Sequence, residues 1–213
     1  MNLPNKITLT RIFLIPVFAV FFLVDAIPFN TVWACLVFIV AACTDFLDGY
    51  IARSRNLVTN LGKFLDPIAD KVLVSTALIL LLIRPEALCV LWTGSWVMIV
   101  CGICVAVILA RELIVSGFRM VAASRGLVLA ADKLGKVKTT FQDLAIVFLL
   151  LGADFFGTAV CSEIFNATGI VCLILAAVLT VWSGTNYIVR NRQVLKEPEP
   201  EPESGAADAE ADE

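Results

Sequence analysis

The chain alternates long apolar stretches with short polar ones. Apolar segments run over 7–24, 31–50, 64–83, 92–118, 139–151 and 165–189. A helix needs about 20 residues to cross a bilayer, and most of these segments have that length. The fifth is short if it begins at 139, but residues 149–156 can extend it. The fourth is long and ends on Arg111 and Glu112. That end projects from the membrane or lines a polar cavity within it. The pattern predicts an all-α polytopic membrane protein with six transmembrane helices. Before the first segment stand Asn2, Asn5 and Lys6, and Asp25, Pro28 and Asn30 follow it, with no convincing cleavage site. The segment therefore reads as a retained helix and not as a signal peptide.

Composition agrees. The chain has 213 residues, is 60% hydrophobic and has 16% charged residues. Its mean hydropathy is +0.92. Soluble globular domains carry about 25% charged residues. Six spans put both termini on one side. Fifteen of the sixteen bases then fall at one face, and Arg84 falls at the other. This bias makes the crowded face cytoplasmic, together with both termini. An odd number of spans would destroy the sorting.

The net charge of −3 hides two unlike parts. Residues 197–213 hold eight acids and no base, whereas the remainder holds sixteen bases and eleven acids. We divide the chain into a membrane domain, 1–192, and an acidic cytoplasmic tail, 193–213, expected to be disordered. The tail reads as a solvated terminus, with an acidic docking peptide as the alternative. Cys101 and Cys104 form a CxxC. It lies inside an apolar helix, with no second cysteine pair and no histidine anywhere in the chain, so it reads as small buried side chains rather than a zinc or redox site. The phenylalanines are scattered through the spans as lipid-facing or packing residues and form no nucleic-acid surface.

Four aspartates are the main chemical signal. Asp45 and Asp48 stand three apart near the end of the second segment. Asp66 and Asp70 stand four apart at the start of the third. Each pair shares a helix face. Pro67 is tolerable there because an early-turn residue needs no intrahelical donor. A linker of about a dozen residues lets the two segments return antiparallel, so four carboxylates can converge. Carboxylates at a membrane boundary are costly unless neutralised. Around two divalent ions they form an ordinary oxygen shell, and bound metal suggests phosphate chemistry. Gly49, Ala52 and Gly62 leave room beside them for a large phosphorylated group, or for close helix packing.

Asp45, Asp48, Gly49, Ala52, Arg53, Gly62, Asp66 and Asp70 occupy the eight fixed positions of a 26-residue signature. In them the chain resembles the CDP-alcohol phosphatidyltransferase family, with no departure. The resemblance implies transfer of a phosphatidyl group from CDP-diacylglycerol to an alcohol, with release of CMP. It implies two magnesium ions, replaceable by manganese, held by Asp45, Asp48, Asp66 and Asp70. Asp70 would also be the general base; the alternative is that it only ligates. Asp45, Asp48, Gly49, Ala52, Arg53 and Gly62 would bind CDP-diacylglycerol. The resemblance further implies the inner membrane of a bacterium, a cytoplasmic active site and dimerisation.

Three further stretches resemble the branch of the family whose acceptor is sn-glycerol 3-phosphate. They run over 4–11, 111–116 and 135–140. Such an acceptor brings its own phosphate and needs cations. Arg11, Arg111, Arg119, Lys136 and Lys138 lie near the right face, and arginine and lysine both suit phosphate oxygens. Ordinary cytoplasmic charge bias or contact with anionic lipid competes for them. Glu112 is expected to pair with a base and orient it. Arg125, Lys133, Arg190 and Arg192 read as lipid-facing anchors. Rival acceptors are inositol phosphate, serine and phosphatidylglycerol. A divalent-metal transporter is the rival of a different class. Against it, the acids gather at one face and no inverted repeat is evident.

Overall fold

The computed structural model describes the backbone of residues 3–54, 60–88, 95–124, 133–154 and 159–192, and side chains over 8–44, 68–88, 95–123, 134–153 and 160–192. The described residues form an all-helical bundle: α1 (Leu3–Leu23), α2 (Asn30–Ser54), α3 (Asn60–Ile83), α4 (Pro85–Leu88), α5 (Ser95–Ser124), α6 (Lys133–Asp154) and α7 (Ala159–Arg190). The six long helices coincide with the six apolar segments. Two of them, α6 and α7, start six residues earlier than hydropathy places them. Their first turns carry Lys133, Lys136 and Lys138 in one case and Ser162 and Glu163 in the other. Polar first turns are invisible to an apolar window, yet they extend the helix without strain. The four-residue α4 was not anticipated.

Among the described residues, Ser95–Ala123 and Val160–Arg190 are long and apolar enough to cross a membrane, and Thr8–Leu23 and Asn30–Thr44 are shorter apolar helices.

The long helices close into a ring. α1 packs on α2 and α3, α2 on α6, α6 on α7, α7 on α5, and α5 on α3. Phe18, Phe22 and Phe38 fill the α1–α2 seam, with Phe18 6.1 Å from both other rings. Leu73, Leu78 and Leu81 of α3, Ile108 of α5 and Ile146, Leu149 and Leu150 of α6 continue the same core. At the α6–α7 contact, a Cβ on Gly169 would lie 2.7 Å from Leu149 Cγ. Only glycine lets the helices approach this closely there. The outer surface is apolar: Phe13, Leu113, Met120 and Trp182 are exposed. Buried polar side chains, among them Arg11, Lys138, Gln142, Asn166, Thr180 and Ser183, lie inside. That distribution suits a hydrocarbon solvent rather than water.

At one end of the bundle, Phe29 closes the α1–α2 turn with φ of 55°. This left-handed backbone is uncommon outside glycine. The Asn30 carboxamide steadies it, with Oδ1 accepting from the Thr31 N–H at 2.8 Å and Nδ2 donating to Val24 O at 3.4 Å. Arg84, just past α3, pairs with Asp25, donates to Phe22 O at 2.9 Å and lies over the Phe22 ring. This end encloses a cleft of about 510 Å³ lined by Asp25, Asn30, Arg84 and Glu86.

Candidate active site

Along α3, Asp70 lies thirteen residues from Ile83, so about 20 Å of helix separates it from the Arg84 end. Here α3, α5 and α6 meet around a small cleft of about 40 Å³. Its walls are Asp70, Lys71, Val74 and Ser75 of α3, Glu112 of α5, and Thr139, Gln142 and Asp143 of α6. Helix phase explains the set. Lys138 and Gln142 are four apart on α6, and Glu112 and Ser116 are four apart on α5, so each pair shares a face.

Glu112 is the hub. Its carboxylate accepts from Lys138 Nζ and, at 3.5 Å, from Arg111 Nη1. Lys138 is almost fully buried. Its charge is tolerable in that position because a carboxylate meets it. Lys71 Nζ donates to the Ser116 hydroxyl, which in turn donates to the Glu112 carbonyl. Arg111 Nη2 donates to Ser183 Oγ of α7 at 2.9 Å. The absence of a side chain at Gly184 makes that approach possible: a Cβ there would lie 2.9 Å from Arg111 Cγ and Nε. Two turns further along α5, Arg119 Nε donates to Tyr187 Oη at 3.1 Å and its guanidinium lies over the same ring. Asp70, Arg111 and Arg119 all act electrostatically on Lys71. One network of ions and hydroxyls therefore ties together α3, α5, α6 and α7.

The sequence candidates distribute unevenly. Asp70, Arg111, Glu112 and Lys138 come together at or beside the cleft. Arg119 stands exposed on α5 against Tyr187, and Lys136 is exposed on α6. Arg11 is fully buried on α1 and does not line the cleft. The backbone carries Asp45, Asp48, Gly49, Ala52 and Arg53 on the last turns of α2 and Gly62 and Asp66 on the first turns of α3, two helices in contact. Their side chains lie outside the described residues. Among the described residues, no group of three or more His, Cys, Asp or Glu gathers as a metal site. Cys101 and Cys104 are buried free thiols.

Sequence reasoning passed over Lys71, Ser116, Gln142, Asp143, Ser183, Gly184 and Tyr187. A signal for Gln142 was present. The buried stripe Ala145, Ile146, Leu149 on α6, followed back by one turn and then another, reaches Gln142 and Lys138.

A model of the CDP-alcohol phosphatidyltransferase family matches residues 1–182. The chain belongs to that family. Several members resemble it along nearly their whole length, each named CDP-diacylglycerol–glycerol-3-phosphate 3-phosphatidyltransferase. The one from Bacillus subtilis (strain 168) is 42% identical over 206 residues, spanning 92% of this chain and 97% of its own. That of Sodalis glossinidius is 37% identical, spanning 92% and 98%. That of Escherichia coli (strain K12) is 36% identical, spanning 88% and 93%. The family match covers both α2–α3, with the eight-residue signature, and the α5–α6 cleft walls. A CDP-alcohol phosphatidyltransferase must place a nucleotide-linked lipid phosphate next to an alcohol. The signature and the cleft meet on α3, with Asp70 common to both.

Proposed function

We propose that the chain transfers the phosphatidyl group of CDP-diacylglycerol to sn-glycerol 3-phosphate, giving phosphatidylglycerol phosphate and CMP. The observation that carries this reading is the cleft where Asp70, the last residue of the signature, faces the Glu112 hub that gathers Arg111 and Lys138. A carboxylate able to accept a proton there adjoins cations able to hold a phosphorylated alcohol. The relatives' shared name and near-complete coverage support the same acceptor.

In this reading α1, α2, α3, α5, α6 and α7 all span the inner membrane of a bacterial cell. Both termini and the Asp70 end face the cytoplasm. The apolar outer surface, the polar side chains buried within the bundle and the single base at the Arg84 end support that placement.

The donor set suits a hard cation. Asp45 and Asp48 on α2 and Asp66 and Asp70 on the adjoining α3 offer only carboxylate oxygen, the ligand magnesium prefers. When bound, two magnesium ions would neutralise the pyrophosphate and favour departure of CMP. The chain's own residues do the rest. Gly49, Ala52 and Gly62 leave space for the nucleotide, and Arg53 offers it a planar cation. Arg111 and Lys138 hold the acceptor's phosphate, steadied by Glu112; Arg119 and Lys136 attract it from the exposed rim. Asp70 takes the proton as the acceptor's hydroxyl oxygen bonds to the diacylglycerol-bearing phosphorus and the P–O bond to CMP breaks.

The test is CMP release by the detergent-purified protein with magnesium, CDP-diacylglycerol and a panel of acceptors. Release with sn-glycerol 3-phosphate, abolished by chelator and restored by magnesium, is expected. Release with inositol phosphate, serine or phosphatidylglycerol instead would move the chain to a sister activity. Metal uptake into sealed vesicles without CMP release would favour a transporter.

A further inference from the structure

Gln142 is a cleft-wall group that the reaction as drawn leaves unused. It is 5% exposed, and its Oε1 is buried with no hydrogen-bond partner. Such groups are rare because an unpaired buried carbonyl gives up its bonds to water and gains nothing in return. The side chain belongs to the same wall as Asp70 and Glu112. It sits one turn along α6 from Lys138 on the same face. The wall of a small polar cleft therefore carries a buried amide oxygen that has no partner.

The ligand's chemistry narrows what donor would meet it. This step rests on the proposed use of sn-glycerol 3-phosphate. The acceptor's phosphate oxygens are themselves acceptors and would repel an amide oxygen. Its only neutral donors are two adjacent hydroxyls. One of them attacks and must lose its proton, and a carboxamide oxygen is far too weak a base to take it. The other keeps its proton throughout.

We propose that Gln142 accepts a hydrogen bond from the non-attacking hydroxyl of sn-glycerol 3-phosphate, and that this bond sets the enzyme's preference for a vicinal diol. Gln142 is then a positioning residue. It fixes the carbon chain so that the neighbouring hydroxyl points at phosphorus.

The experiment compares two acceptors, sn-glycerol 3-phosphate and 3-hydroxypropyl phosphate, which lacks the second hydroxyl, in the wild type and in Gln142→Leu (Q142L). A site built around a hydroxyl discriminates strongly against an analogue without it. The wild type should lose about 30-fold in kcat/KM on the analogue. Q142L should lose about as much on sn-glycerol 3-phosphate and less than about threefold more on the analogue. A merely structural role would penalise both acceptors equally, and that result overturns the proposal. The wild-type comparison stands even if Q142L fails to fold: equal use of both acceptors overturns the role of Gln142 while leaving the proposed transfer intact. Wild type that releases CMP with neither acceptor but with another removes the proposed transfer, and this role with it.

Discussion

At the Arg84 end of the bundle one ion pair borders a cleft of about 510 Å³; at the Asp70 end, side chains from three helices share about 40 Å³. The larger space is chemically quiet. Arg84 is satisfied by Asp25, by a main-chain carbonyl and by an aromatic face. Asp25 is mostly exposed, so water screens the pair. The smaller space is different in kind. Its bonds join residues 26 to 72 positions apart in the chain. They bury a lysine against a glutamate and leave an amide oxygen waiting. Of these two clefts among the described residues, the smaller is the one that gathers opposite charges from separate helices, at a cost in desolvation.

That contrast can be broken at either end. Asp70→Asn (D70N) keeps the shape and removes the proposed proton acceptor. It should lower kcat about a thousandfold in the CMP-release assay, within the usual range for a general base. The melting temperature should stay close to that of the wild type. Full activity in D70N would make Asp70 a bystander.

Glu112→Gln (E112Q) should cost less in turnover and more in stability. It leaves Lys138 buried against a neutral partner, and breaking a buried pair costs about 3 kcal/mol. Thermal melts in detergent should show that loss, with a rise of about tenfold or more in acceptor KM. An unchanged melt would mean that Lys138 has found another partner.

Gly184→Ala (G184A) sharpens the geometry. Its methyl group would lie 2.9 Å from Arg111 Cγ and Nε, so the side chain that bonds Ser183 must shift. We expect about a tenfold loss in kcat/KM for sn-glycerol 3-phosphate, roughly one charge-assisted hydrogen bond. KM for CDP-diacylglycerol should not change. A matching loss for both substrates would point to helix packing instead.

The smallest effect belongs to the opposite end. Arg84→Gln (R84Q) should change stability by about 1 kcal/mol or less, because Asp25 is solvent-screened. Its kcat and KM should match the wild type. A drop in turnover would show that the two ends communicate.

Helix existence was legible in hydropathy; the aspartate signature was legible as a family resemblance, and the side chains of Asp45, Asp48 and Asp66 lie outside the described residues. The interior wall of the site was not legible. Lys136 and Lys138 are indistinguishable as cations in a list. Two residues apart on a helix, they point to nearly opposite sides, so only one can face inward. The sequence carries that answer in the phase of Ala145, Ile146 and Leu149, and reading it requires knowing that α6 is a single helix from Lys133 onward. Ser183 and Gly184 were hidden for another reason. Their role depends on α7 lying against α5, a pairing between elements separated by all of α6.

The ring order has a consequence for how the molecule is made. Synthesis runs from the amino end, so α2 and α3, with all four signature aspartates, are complete before Lys138 and Gln142 exist. A nascent chain that has just finished α5 carries Glu112 and Arg111 with neither Lys138 nor Ser183 to receive them. The half that carries the signature is thus born first, and the arrival of α6 and α7 both closes the ring and supplies the charges that make α5 comfortable inside it.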